Sequence, residues 1–124
     1  METSILRNIK KLLGLFDDDT SFDMDILTHI NSVLSVLKQV GMQVPTDLLV
    51  EDANATWGDL INSSENLALV RSYIYVRVRL LFDPPTSSFA LSSFQNLSSE
   101  LEWRIHVLTD PPFRMSLDGV EVDP

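Results

Sequence analysis

The stretch that decides the fold is LALVRSYIYVRVRLLFDPPTSSF, Leu67 to Phe89. It is the longest run dense in apolar residues, and it carries Arg71, Arg77 and Arg79, three of the nine basic residues. Tyr73, Tyr75, Val76 and Val78 favour strands. Length and flanks favour a helix instead. No Gly or Pro interrupts Glu65 to Phe82, Ser63 or Ser64 offers an N-cap, and Asp83-Pro84-Pro85 is a hard stop. Such a helix spans roughly 27 Å. On a wheel, Leu67, Val70, Ile74, Val78 and Leu81 form one stripe, and Leu69, Tyr73, Val76 and Leu80 form a second beside it. Two stripes are too much for an ordinary surface helix, so this one is expected at the centre, with neighbours on two sides. Arg71, Ser72, Tyr75 and Arg79 share the remaining face. Arg77 falls between the apolar stripes. Either its head finds a carboxylate, with Glu100, Glu102, Asp83 or an acidic group of a neighbouring subunit in view, or its stem packs and its head snorkels to an edge.

Around this helix the chain reads as one domain of 124 residues. Thr3 to Leu13 is a short amphipathic helix built on Ile5, Leu6, Ile9, Leu12 and Leu13, with Phe16 beyond it and Arg7, Lys10 and Lys11 elsewhere on the wheel. It reads as the first core helix of a bundle rather than a membrane anchor. A second helix, from about Phe22 to Val40, carries the stripe Phe22, Ile26, Ile30, Val33, Leu37 and Val40, and Gly41 ends it. Met42 to Asn66 is irregular and acidic. Thr56 and Asp59 have capping-box spacing there and predict a short helix, with Trp57 as a structural plug. After the Pro84-Pro85 corner, Thr86, Ser87 and Ser88 supply an N-cap for a last helix to about Leu108. Its core stripe is Leu91, Phe94, Leu97, Leu101, Ile105 and Leu108; Phe89, Trp103 and Val107 fall on the opposite face. Trp103 and Val107, one turn apart, are placed to meet another chain. The expected fold is all-α: about four main helices and a short one over 1–108, then an extended tail over 109–124.

The tail reads TDPPFRMSLDGVEVDP from Thr109. Its prolines and Gly119 oppose a helix, yet Phe113, Met115, Leu117, Val120 and Val122 are spaced among polar residues. That pattern, with Pro112 and Arg114, predicts a segment that docks on another chain.

Much chemistry is excluded by the same inventory. There is no cysteine, and His29 and His106 are far apart, so a zinc site is not expected. No apolar run reaches membrane-spanning length. Arg7, Lys10 and Lys11 break any signal-peptide pattern, so the protein is expected in the cytosol or packaged from it. Asp17, Asp19, Ser21 and Asp23 alternate like the start of a calcium loop. Phe22 and Thr28 stand where that loop needs Gly and Glu, so the turn reads as solvated carboxylates, with Thr20 and Asp23 in a capping-box spacing. No Gly-rich phosphate loop, HExxH or nucleophile elbow is present, so no catalytic residue, cofactor or metal is assigned. A net charge of −9 opposes a free-standing nucleic-acid binder.

Three segments, ATWGDLI (Ala55–Ile61), YIYVRVRLLFDPPTSSF (Tyr73–Phe89) and LEWRIHV (Leu101–Val107), resemble the head–tail connector, or adaptor, proteins of tailed bacteriophages. The RLLFDPPTSSF piece is the most specific. The likeness runs from the first helix to the terminal VDP. It implies a non-enzymatic helical bundle, present in the virion as a ring, typically twelvefold, beneath the portal at the capsid vertex. DNA passes through the ring, the C-terminal segment reaches the portal, and the other face receives the next neck or tail protein. Arg77, Arg79, Asp83, Phe89, Trp103 and Val107 are then candidates for subunit contact. Pro112, Phe113, Arg114, Met115, Leu117, Val120 and Val122 are candidates for the portal contact. A regulatory nucleic-acid-binding domain that reads through Arg71, Arg77 and Arg79, or a scaffolding factor, are the alternatives.

Overall fold

A computed structural model describes residues 3–45, 48–61 and 64–109. It contains five helices among the described residues: α1 (Ile5–Leu12), α2 (Asp23–Val40), α3 (Trp57–Leu60), α4 (Ser64–Phe82) and α5 (Ser88–Thr109). The all-α bundle expected from the hydrophobic periodicity is what forms. The portal candidates, from Pro112 to Val122, lie outside the described residues.

Helix α4 is the hub. It packs against α2 on one side and α5 on the other, while α1 joins the bundle through α2. Val70, Tyr73, Ile74, Val76 and Val78 are buried, so both predicted stripes are used. Leu81 is a correction: it is half exposed, and at this end of the helix Phe82 instead packs on Phe22 and His29. Ser64 is the first residue of the helix, not its N-cap, and Ser63 lies outside the described residues.

The ends of the helices follow local chemistry. Ser4 caps α1, its hydroxyl accepting from the Arg7 amide at 3.3 Å. Gly41 closes α2 with φ at 119°, the left-handed geometry that glycine adopts without Cβ strain. Ser87 caps α5: its hydroxyl accepts from the Ala90 amide at 3.1 Å. At the corner before it, the Arg79 Nε donates to the Asp83 carbonyl at 2.6 Å, tying the end of α4 to the turn.

The long acidic segment is pinned at two points. One is an isolated antiparallel bridge between Ser4 and Thr56, in which Ile5 donates to the Ala55 carbonyl at 3.0 Å and Trp57 to the Thr3 carbonyl at 3.1 Å. Trp57 is buried as expected, and its indole N–H donates to Asn8 Oδ1 at 3.2 Å. Asp59 accepts from the Thr56 amide at 2.9 Å, the capping contact that the spacing predicts. The other point is Asn31 of α2. Its amide donates to the Val50 carbonyl at 3.0 Å and accepts from the Val50 amide at 2.9 Å, replacing a missing strand partner.

Two expectations are overturned around α1. Lys10 does not sit on the solvent side of the wheel; it is only 2% exposed. The aspartate turn is not simply solvated, because it folds over this ammonium. Lys10 Nζ donates to the carbonyls of Asp17 at 3.1 Å and Asp19 at 2.7 Å, and ion-pairs with Asp23 Oδ1 at 2.9 Å. The two carbonyls accept hydrogen bonds and Asp23 supplies the counter-charge, so the buried ammonium is compensated; the buried Asp23 Oδ1 accepts no hydrogen bond and is held by charge alone. Asp23 therefore serves Lys10 rather than a capping box with Thr20; Phe22 occupies the N-cap position of α2 and makes no side-chain cap. The position a cation would take among these oxygens is filled by the chain's own ammonium. Asp19 is held below the usual carboxylate range chiefly by its hydrogen bonds from Ser21, whose amide donates to Oδ1 at 3.1 Å.

On this geometry Lys10→Ala leaves two carbonyls without their donor and a carboxylate without its counter-ion, and costs about 3–5 kcal/mol of unfolding free energy. Lys11→Ala, on the exposed side of the same helix, changes stability by less than ~0.5 kcal/mol. Urea titration of the two variants beside the parent chain measures both. Near-equal losses would overturn the caging role of Lys10.

Candidate partner-binding surface

Helix α5 has one face on α4 and one face on solvent. Its buried line is Ser98, Leu101 and Ile105, with Leu91 and Phe94 half-buried. Leu97 and Leu108, expected in the core stripe, are 41% and 54% exposed. The inward line is rotated toward Ser98, a small residue that lets α5 lie close to its neighbours. The solvent face keeps Phe89 at 84%, Trp103 at 65% and Val107 at 37% exposure. Leu97 and Leu108 lie on the flank of this face, and the Glu100–Arg104 pair shares it with the three apolar residues. Single exposed apolar residues are ordinary, whereas several on one face of one helix mark a contact surface.

The arginines are placed differently from one another. Arg77, the residue off the pattern, lies over the Tyr73 ring at 5.8 Å and brings Nη1 to 4.0 Å from Glu102 Oε1. Its stem packs and its head reaches a carboxylate of α5, so the two readings of Arg77 describe two parts of one side chain. The same Glu102 oxygen accepts from the Tyr73 hydroxyl at 2.8 Å. Burial and this bond to a carboxylate push the Tyr73 phenol well above its ordinary range. Arg79 stacks on Phe94 at 5.3 Å, and Nη1 donates to the Tyr75 hydroxyl at 3.4 Å. Its ion pair with Asp83, at 4.0 Å, is partly exposed and worth little by itself. Of the six candidates for subunit contact, Arg77 and Arg79 make contacts within the subunit, with Asp83 at the corner beside Arg79. Phe89, Trp103 and Val107 share the open face of α5, Trp103 and Val107 one turn apart and Phe89 roughly 21 Å from Trp103 along the helix.

Beside Trp103 a groove of about 480 Å³ runs between α2 and α5, lined by Val36, Gln39, Val40, Glu102 and His106. His106 Nδ1 lies 3.0 Å from the Val40 carbonyl and holds the two helix ends together. The groove was not legible in the sequence, since Val36 and Gln39 sit off the predicted stripe of α2. Among the described residues no three of His, Cys, Asp and Glu are grouped to hold a metal, and no helix is long and apolar enough to cross a membrane.

The Tyr73–Glu102 bond gives a pH signature. Because the folded chain holds the phenol neutral, unfolding above the ordinary tyrosine value of 10.0 releases a proton. Stability from this group is complete below that pH and declines as pH rises past it. Tyr73→Phe costs about 1 kcal/mol at neutral pH and flattens the decline above pH ~10. Thermal unfolding from pH 7 to 11 reads both effects; an unchanged alkaline slope would refute the assignment to Tyr73.

Comparison with known proteins adds one finding. No curated protein and no solved structure matches the chain. A family model described as Phage connector protein matches residues 5–112, which takes in all five helices. The chain belongs to the phage connector protein family, and with that membership goes a structural, connecting role in a phage, in association with other phage proteins.

Proposed function

We propose that the protein is a non-enzymatic head–tail connector that assembles as a ring, of about twelve copies as the resemblance implies, beneath the portal at the capsid vertex. The observation that carries this reading is the uncovered apolar face of α5 on a chain of the connector family. A bundle whose core is complete has no internal use for Phe89, Trp103 and Val107 in water. Copies side by side would cover them, in the unlike-face contact that rotation closes into a ring.

The acidic balance fits a channel wall. With a net charge of −9 the ring offers DNA few cationic contacts, so the duplex slides past rather than sticks. In this reading the segment from Pro112 to Val122, with Phe113, Arg114, Met115, Leu117 and Val120, docks on the portal, and the opposite face takes the neck or tail-completion protein. Assembly takes place in the host cytoplasm before the protein enters the virion. The rival, a nucleic-acid-binding domain reading through the arginines of α4, loses support because Arg77 and Arg79 contact Glu102, Phe94 and the Asp83 corner. Nothing in the geometry favours a scaffolding factor over a resident connector.

Removal of residues 110–124 is expected to abolish binding to purified portal rings while the helical circular dichroism spectrum is kept. Co-sedimentation measures the binding. Undiminished binding of the truncated chain would show that the portal contact lies elsewhere.

A further inference from the structure

The ring reading leaves open what the α5 face meets. We propose that it meets a cationic, aromatic groove beside α1 of the next copy, with Trp103 as the inserted side chain. This inference rests on the ring reading and specifies its interface.

The groove has a volume of about 500 Å³ and is lined by Arg7, Asn8, Lys11, Leu15, Phe16 and Asp17 among others. Phe16 is 79% exposed, and Leu12 close by in the chain is 43% exposed. Helix α1, ILRNIKKL, has no acidic residue. Lys10 is consumed by the aspartate turn, which leaves Arg7 and Lys11 facing outward. Asp17 lies 3.6 Å from Arg7 in a pair whose side chains are both 64% exposed, so it binds that guanidinium weakly. Cations flanking an aromatic ring make a socket suited to an indole, which is the best cation–π acceptor among side chains.

Trp103 fits such a socket. It projects from a rigid helix, and tryptophan is enriched among the residues that dominate interface energies. Its neighbours supply the opposite charge. Glu100 stands one turn before it, exposed and held only by the surface pair with Arg104 at 2.7 Å, and Glu102 is part-exposed on the groove side. The groove sets two cations against one carboxylate, and Trp103 has Glu100 and Glu102 near it against Arg104, so the two surfaces are complementary in charge. Helix α1 packs on α2, while α5 packs mainly on α4 and also touches α2. A subunit carrying both faces joins head to tail, which a closed ring requires and a twofold dimer does not.

The chain has no cysteine, so the contact can be tested by pairing two new ones beside it, Ser99→Cys one turn before Trp103 and Asp18→Cys just after Phe16. Both positions are exposed and neither carries the contact, so the fold and the inserted indole are kept. With a short bismaleimide, the double variant is expected to give a ladder of covalent multimers on a denaturing gel, with the free protein or with portal rings present. A mixture of the two single variants gives dimers only, and each single variant alone stays monomeric. Trp103→Ala is expected to weaken assembly roughly tenfold or more in sedimentation. If rings form but the double variant yields no ladder, this contact is wrong and the connector reading stands. Self-linked dimers from Ser99→Cys alone would show a like-with-like contact and overturn the head-to-tail one. If the parent chain forms no ring, alone or on the portal, both readings fall.

Discussion

Helix α4 carries more apolar surface than one neighbour can cover, and the rest of the structure follows from that excess. Val70, Tyr73, Ile74, Val76 and Val78 are buried in directions that α2 alone does not close, so α5 has to come back along the other side. The Asp83-Pro84-Pro85 corner makes this return possible. Proline ends α4, Arg79 ties the turn to the helix, and Ser87 starts the next one. Burying an aliphatic side chain contributes roughly 1.5–3 kcal/mol, so the five inward residues of α4 outweigh any polar contact in the molecule. The polar contacts fix the register of the packing. Glu102 gathers the Tyr73 hydroxyl and the Arg77 head, and so sets α5 at one height along α4.

A second fixed point lies at the edge of the bundle. Helix α1 is short, and a helix of eight residues is marginal without tertiary support. It receives that support from three unlike sources: the apolar residues Ile5, Leu6 and Ile9, the Ser4–Thr56 bridge, and the Lys10 cage. The cage turns a run of aspartates, otherwise mutually repelling, into a ligand shell for one internal cation. Removal of either partner leaves an uncompensated buried charge, and that asymmetry makes the turn and the helix fold as one unit.

The parts legible in the sequence were those written in periodicity and punctuation. The centrality of α4, the glycine at the end of α2, the short α3 and the N-cap at Ser87 all follow from spacing, because each rests on contacts within a few residues. Lys10 and Ser98 were not legible. Lys10 is buried because backbone carbonyls of a turn seven and nine residues away converge on it, and no residue pattern announces where carbonyls point. Ser98 is buried and Leu97 exposed because α5 is rotated by its fit on α4, a tertiary choice that overrides the apolar count. The partner surface was half legible. Trp103 and Val107 stood out on the wheel. The exposure of Phe16 and the weak pairing of Arg7 with Asp17 depend on where the aspartate turn goes.

The distribution of satisfied and unsatisfied groups separates what the chain uses to fold from what it holds for others. Three basic side chains that reach inward find partners within the subunit: Lys10 in its cage, Arg77 on Glu102, Arg79 on the corner. These contacts form within one copy and do not wait for a neighbour. Phe16, Phe89 and Trp103, in contrast, are large, exposed and without a use in the isolated subunit. A monomer loses little by exposing any one of them. Phe16 stands in the turn after α1, near the basic residues of that helix, and Phe89 and Trp103 stand on α5. On the proposed ring reading this placement would give a sense of direction from one copy to the next, and the apolar surplus would serve assembly. That division suits a protein made free and used in a particle, since the subunit folds without partners and meets them with its interface already shaped.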